Sequence, residues 1–289
     1  MLGFVNVFKP SGPTSAQVGA RVRRIFSMMT GTKLAAGHVG TLDPIASGVL
    51  PIALGKTTRL ISLIEDRRKA YVCTMVLGRA TATGDATGET VRESAVPDDI
   101  ARLLAEAIPR FVGTVEQIPP MYSAVHHGGR RLYELAREGV TVERAARTIS
   151  VYGLRVLGVE GNEVRLSIAC SEGTYVRTLC EDLGAAIGVA AHMGALLREA
   201  SGPFVLYESR TLDEIAASPG DALVPPERVI ALPTIVLDGR NAADFRAGRV
   251  VPLPSGASSK HVFVRDASRQ LVGVGENLGV LLAPRKVFL

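Results

Sequence analysis

The chain has 289 residues, and at about 150 residues per domain that predicts two domains. Hydrophobic residues make up 47% and charged residues 21%, with a net charge of +5, which excludes a disordered or fibrous chain. No apolar run approaches the roughly 20 residues of a membrane helix, so no membrane association is expected.

Gly3–Phe8 reads as a short strand, and Thr14 or Ser15 can cap a helix with Val18, Val22, Ile25 and Phe26 on one face. A glycine-bounded loop, Gly37–Gly48, precedes a second predicted helix near Thr57–Ile64. Lys69–Leu77 is strand-like, and the Gly/Thr-rich residues 78–90 form a loop or hairpin. Asp98–Ile108 is helical, Phe111–Glu116 a strand, Gln117–Arg130 irregular and Leu132–Arg137 a short helix. Glu163–Ser171 alternates with Val164, Leu166, Ile168 and Cys170 on one face, whereas Tyr175–Ile187 has helical spacing in Val176, Leu179, Cys180, Leu183 and Ile187. The proline-dense stretch from Pro219 to Pro233 reads as the linker. Beyond it, short strands at Thr234–Leu237, His261–Val264, Gln270–Val274 and Val280–Leu282, with one helix near Ala242–Ala247, predict a small β-rich domain that is marginal alone and packs on its neighbour. Strands and helices mix without βαβ spacing, so the large domain is expected to be α+β with a mixed, mostly antiparallel central sheet flanked by helices.

Charge is distributed in blocks. Residues 1–79 carry eleven Lys/Arg against three Asp/Glu, residues 80–109 two against six, residues 110–155 seven against four, residues 156–229 five against eleven, and residues 230–289 eight against four. Such alternation can produce one basic face that attracts polyanions, or simply a solvated surface. Aromatics are only 5% and Trp is absent, which argues against an extended base-stacking platform. Met1–Val5 lacks the charged region and cleavage site of a secretion signal. The three cysteines, Cys73, Cys170 and Cys180, lack Cys-x-x-Cys spacing and read as buried thiols of a reducing compartment. A cytoplasmic protein is expected.

Gly55-Lys56-Thr57-Thr58 invites a phosphate-loop reading, but the pattern needs glycine at position 50, which is Leu50. The five histidines show no metal-ligand spacing. Asp43 is more informative. It is the one acidic residue among the first 64, against seven basic ones, and lies in a loop holding three glycines. Surrounding cations favour its ionised form, and Pro44 keeps it out of helix. Asp-Pro is also a common structural turn. As a site residue, a single carboxylate offers nucleophilic or electrostatic catalysis, whereas a glycosidase needs a second nearby. Arg177 falls in the first turn of a predicted helix, where the dipole repels cations; there it is either a surface residue or one with a carboxylate or phosphate partner. Tyr71 lies in a strand, where core packing is the ordinary role.

Taken together, five segments resemble the tRNA pseudouridine synthase B family: Gly3–Ser15, Gly37–Leu60, Lys69-Ala70-Tyr71, Gln117–Arg137 and Ser171–Gly184. They run in the family's order over about two thirds of the chain, and Gly-His-x-Gly-Thr-Leu-Asp-Pro-x-Ala-x-Gly-x-Leu-Pro is the most specific. Two departures are His126, where the family commonly has Lys, and Leu196-Leu197-Arg198 with Glu199 in place of a Leu-Arg-Arg segment. The resemblance implies a catalytic domain over 1–230 and an RNA-binding PUA-like domain over 231–289. It implies isomerisation of uridine 55 in the TΨC stem-loop of tRNA by a monomeric enzyme with no metal or organic cofactor. By the same resemblance Asp43 is the catalytic carboxylate, and Arg177 holds it in a buried, bidentate ion pair. Tyr71 stacks on the flipped uracil and is the candidate for removing the C5 proton. Tyr175 and Leu196 line the pocket, and His38 fills the space vacated by the base, contacts neighbouring bases or orders its loop. The competing reading is a non-catalytic RNA-binding or RNA-folding factor.

Overall fold

Alternating burial along short segments builds most of the chain. The computed structural model describes residues 2–254 and 259–288. It opens with β1 (Leu2–Lys9), α1 (Ser15–Thr30), β2 (Ala36–His38), β3 (Ser47–Gly55) and β4 (Lys69–Leu77). A hairpin of β5 (Arg79–Thr81) and β6 (Thr90–Glu93) precedes α2 (Ile100–Ala107) and β7 (Gly113–Gln117). A second hairpin, β8 (His126–His127) and β9 (Arg130–Arg131), runs into α3 (Leu132–Arg137). Next come β10 (Arg147–Glu160), β11 (Glu163–Cys170), α4 (Val176–Ala186) and β12 (Ala191–Ser201). The chain then passes through β13 (Phe204–Val205), α5 (Leu212–Ala217), β14 (Leu223–Val224) and α6 (Pro226–Val229). It ends in β15 (Thr234–Val236), α7 (Gly239–Arg246), β16 (Val251–Pro252), β17 (His261–Arg265), β18 (Leu271–Asn277) and β19 (Leu281–Val287).

Ten strands form one sheet, in the order β14-β1-β3-β12-β4-β11-β10-β7, with β13 beside β12 and β2 beside β3. Its pairings are antiparallel except where β12 meets β3, with Leu197 opposite Ser47 and Arg198 opposite Gly48. Helix α1 starts because Thr14 and Gln17 exchange capping bonds, and it stops at Gly31 in the left-handed region. It buries Val18, Val22 and Phe26, four residues apart, against the sheet. Strand β4 buries every second residue from Lys69 to Leu77, and this face meets α4, where the sulfurs of Cys73 and Cys180 lie 3.5 Å apart. All three cysteines are buried.

The α+β architecture with a mostly antiparallel sheet is the one expected, but several elements differ from the sequence reading. Thr57–Ile64 is a 3-10 helix over Lys56–Leu63, whose Thr57 hydroxyl takes the buried amide of Gly3 at 2.7 Å. Strands β10 and β12 escaped the periodicity because both are bulged. Register shifts fall at Val151/Gly153 and Val156/Gly158 in β10, and at Met193/Ala195 and Arg198/Ala200 in β12. Each bulge flips the alternation that marks a strand. The proline-dense stretch is no free linker: Leu223 and Val224 pair with Val5 and Phe4 at the sheet edge.

The C-terminal strands form a separate five-stranded sheet, in the order β15-β17-β18-β19-β16, around Phe245, Val262, Val264, Val272 and Leu282. A shared core of Phe4, Val49, Phe204, Ile230, Phe263 and Phe288 joins it to the large sheet, so this small unit is stabilised by its neighbour. No helix among the described residues is long and apolar enough to cross a membrane.

Candidate active site

The loop carrying Asp43 runs between β2 and β3 and is held from three directions. The Ser15 hydroxyl, at the start of α1, both donates to the Leu42 carbonyl and accepts from the Leu42 amide at 2.8 Å. The Lys9 ammonium, at the end of β1, donates to the carbonyls of Pro10, Pro44 and Ala46 at 2.9, 3.1 and 2.6 Å. Arg198 on β12 donates to the carbonyls of Gly40 and Thr41, each at 3.1 Å. Burial brings the Lys9 ammonium down to about 8, with Asp43 opposing and Arg198 adding to that shift. Main-chain groups are thus tied off, and Asp43 is left to project from a rigid turn.

Arg177, on the first turn of α4, meets this carboxylate. Its Nε donates to Asp43 Oδ2 at 2.9 Å, while its terminal nitrogens donate to the carbonyls of Thr83 at 3.0 Å and Tyr122 at 2.7 Å. A second carboxylate, Asp85, lies 4.0 Å from the same Nε. Asp85 is itself fixed by the Thr83 hydroxyl at 2.8 Å and the Thr87 amide at 3.0 Å. The ion pair expected from the sequence is therefore present in a different form. The contact is single rather than bidentate, because the other nitrogens hold main chain. It is also open on one side, since the Arg177 side chain is 4% exposed and that of Asp43 37%. One side of the carboxylate is held by a buried cation, and the carboxylate itself stays partly accessible.

Tyr71 and Leu196 come from neighbouring strands of the sheet, both buried, with Leu196 opposite Cys73 in the β12–β4 ladder. Burial pushes the Tyr71 phenol up, against the pull of Arg198. Tyr175 is the half-buried residue before α4, and its backbone amide and carbonyl are both satisfied by the Gln117 side chain at 2.8 and 3.0 Å. His38 is exposed on the short β2 strand, where desolvation and the nearby Arg198 and Arg131 lower its ring below the usual histidine range. The structure thus gathers Asp43 and Arg177 in direct contact and sets Tyr71 beside Arg198. Asp85, Arg198, Lys9 and Lys69 were missed from the sequence. For Arg198 the sequence offered only the charged pair Arg198-Glu199 behind Leu196-Leu197, which reads as ordinary exposed surface.

Comparison with known proteins matches the chain to one group. Residues 23–176 fit the model of the TruB family pseudouridylate synthase N-terminal domain. The chain belongs to the TruB family of pseudouridylate synthases. Residues 177–222 fit the model of a tRNA pseudouridylate synthase B C-terminal domain. The two matches meet at Arg177, inside α4, so both describe parts of the one ten-stranded sheet. Among relatives named tRNA pseudouridine synthase B, that of Dechloromonas aromatica is 39% identical over 99% of this chain and 95% of its own length. That of Symbiobacterium thermophilum is 43% identical over 83% and 80%. Of solved structures, a chain in an H/ACA ribonucleoprotein bound to a substrate RNA containing 2'-deoxyuridine has a TM-score of 0.68 and 27% identity, covering 99% of this chain and 85% of that one. A chain of a Cbf5-Nop10-Gar1 complex has a TM-score of 0.67 and 30% identity, with the same coverage. This family member therefore shares its architecture over nearly its full length with those two chains.

Proposed function

We propose that this protein isomerises uridine 55 in the TΨC stem-loop of tRNA to pseudouridine, with Asp43 as the catalytic carboxylate. The reaction breaks the N1–C1′ bond, turns the uracil, forms a C5–C1′ bond, moves the C5 proton off carbon and returns a proton to N1. Atoms balance without a co-substrate. The target base is stacked in its loop, so it is flipped out at a cost of a few kcal/mol, which backbone contacts offset. Asp43 then acts at the sugar, either by attack on the nucleotide or by deprotonating and stabilising the sugar centre. Arg177 fixes the carboxylate, Tyr71 stacks on the uracil and takes the C5 proton, Tyr175 and Leu196 line the pocket, and His38 meets the neighbouring bases. Residues 1–230 form the catalytic unit, and residues 231–289 supply further RNA contacts. The observation that carries this reading is the 2.9 Å contact of a buried guanidinium with a carboxylate that is itself accessible.

Tritium release from an unmodified tRNA transcript labelled at uridine C5 tests it, without added nucleotide or metal. The protein is expected to release label from U55 alone, and Asp43→Asn is expected to fold, bind tRNA and release none. Release of free uracil identifies a nucleoside hydrolase instead. Tight binding with no release identifies the non-catalytic RNA-binding factor.

A further inference from the structure

Helix α4 begins without a cap of its own: Tyr175, the residue before it, is extended at φ −97° and ψ 109°, and its side chain takes no capping bond. A side chain from another element fills that role. Gln117, the one buried residue of β7, ends a strand paired to β10, with Arg147 opposite it. Its Nε2 donates to the Tyr175 carbonyl at 3.0 Å, and its Oε1 accepts from the Tyr175 amide at 2.8 Å. A carboxamide that exchanges both bonds with one residue acts like a neighbouring strand and fixes that residue in position and tilt. The same Tyr175 carbonyl accepts from the Leu179 amide at 3.1 Å, the first bond of the helix. Gln117 therefore holds the peptide from which α4 starts.

Arg177, in the first turn so placed, must meet three partners at once: Asp43 at 2.9 Å, the Thr83 carbonyl at 3.0 Å and the Tyr122 carbonyl at 2.7 Å. Tyr122 lies on the segment that leaves β7 after Gln117, so residues 117–122 hold α4 twice, by main chain and by guanidinium. A tilt that moved the guanidinium by about 1 Å could not keep all three contacts, and misplacement of that size costs on the order of 100-fold in rate. We propose that Gln117 is a positioning residue that aims the first turn of α4, so that Arg177 reaches Asp43 in the orientation the chemical step uses. The role rests on the isomerase reading above, which gives that carboxylate its reaction. A plain scaffold contact would lower the unfolding midpoint and leave the rate of the folded protein alone; a positioning one slows the folded protein at saturating tRNA.

The test combines single-turnover tritium release, tRNA affinity and thermal unfolding with hydrogen exchange of the arginine Nε–H groups followed by nuclear magnetic resonance. The signals of Arg177 and Arg198 are identified by their loss in the corresponding lysine variants. Gln117→Met is expected to slow the step about 30-fold at saturating tRNA, with affinity changed less than about threefold. The Arg177 Nε–H is expected to exchange at least about tenfold faster, while the Arg198 Nε–H, bonded to the Val49 carbonyl, keeps its rate. In an Arg177→Lys background, Gln117→Met is expected to change the rate by less than about threefold, because the group it aims is gone. Multiplying losses, a loss confined to affinity, an unaffected rate, or an Arg177 signal that exchanges as before each overturn the proposal. Equal loosening of both arginines also overturns it, since that marks a general scaffold. If Gln117→Met does not fold, Gln117→Glu decides: it keeps the acceptor for the Tyr175 amide and loses the donor, and its loss of about tenfold must vanish in the Arg177→Lys background. No release by the unsubstituted protein removes the isomerase reading, and the Nε–H signals then still decide whether Gln117 places Arg177.

Discussion

Two arginines flank the Asp43 loop and are solvated in opposite ways. Arg177, on α4, faces two carboxylates, Asp43 at 2.9 Å and Asp85 at 4.0 Å, and two main-chain carbonyls. Arg198, on β12, donates to three carbonyls and stands opposite Tyr71 in the strand ladder. A cation balanced by carboxylates spends its charge on orienting them. A cation solvated by dipoles leaves its charge uncancelled, and with Lys9 and Lys69 on the same side that half of the site is electropositive. The α4 half therefore orients the Asp43 carboxylate, and the β12 half sets shape and field. Under the proposed isomerisation, an excess of buried positive charge suits a polyanionic substrate and a uracil that carries negative charge as it leaves the sugar.

The most damaging way to break this division is at Arg177. Lysine offers a point charge that cannot reach Asp43, the Thr83 carbonyl and the Tyr122 carbonyl at once. Arg177→Lys is expected to lower the single-turnover rate about a thousandfold, or about 4 kcal/mol, while unfolding changes by less than about 2 kcal/mol. A rate within tenfold of the original would make the pair incidental. On the β12 side the corresponding weak point is Gly48, at φ 105°, where a Cβ would collide with the Arg198 carbonyl oxygen. Gly48→Ala is expected to cost about 3 kcal/mol in denaturant unfolding, because the parallel junction of β3 and β12 must separate. An unchanged midpoint would mean this junction is not what fixes Arg198.

Sequence reasoning recovered much more of the α4 half than of the β12 half, for physical reasons. Helices α1 and α4 and strands β4 and β11 keep a clean period, so their buried faces could be read directly. Asp43 stood out as a lone acid among bases, and Arg177 as a cation at a helix start. Asp85 did not, because residues 80–109 contain six acids and nothing in the chain marks the one held by Thr83 and Thr87. Arg198 was hidden twice over: its strand is bulged, and its partners are carbonyls, which every residue carries. Asp85→Asn sharpens the comparison at intermediate size. Asparagine can still accept from the Thr87 amide, so the loop holds, but Arg177 loses its second anion. The expected fall in rate is about 30-fold, about 2 kcal/mol, without loss of tRNA affinity. A fall in affinity alone would place Asp85 in RNA binding instead.

The smallest expected effect isolates the buried charge of the β12 half. Lys69 points from β4 to the same face as Tyr71 and donates to the Ser201 hydroxyl, with Gly40 alongside. Burial, aided by Arg198, brings its ammonium from 10.5 down to about 8, against the weaker pull of Glu172, which is paired with Arg67. Below pH 8 both folded and unfolded chains keep this proton, and the folded one bears the full cost of the buried charge. Between about 8 and 10.5 the unfolded chain holds more protons, so stability rises with pH at this site. Methionine carries no such charge. Lys69→Met is therefore expected to gain stability relative to the original at pH 7 and to lose more than half of the pH-dependent part of that advantage by pH 9.5. The pH-dependent part is bounded at about 3 kcal/mol and expected near 1, because neighbouring dipoles offset much of the burial. Lys9 titrates in the same range in both proteins and cancels in the difference. The loss of the Ser201 hydrogen bond shifts both pH values alike, so only the change in urea midpoints between them is diagnostic. A difference that stays flat from pH 7 to 9.5 would show that the Lys69 charge is already compensated, and that the excess field of this half comes from Arg198 and Lys9 alone.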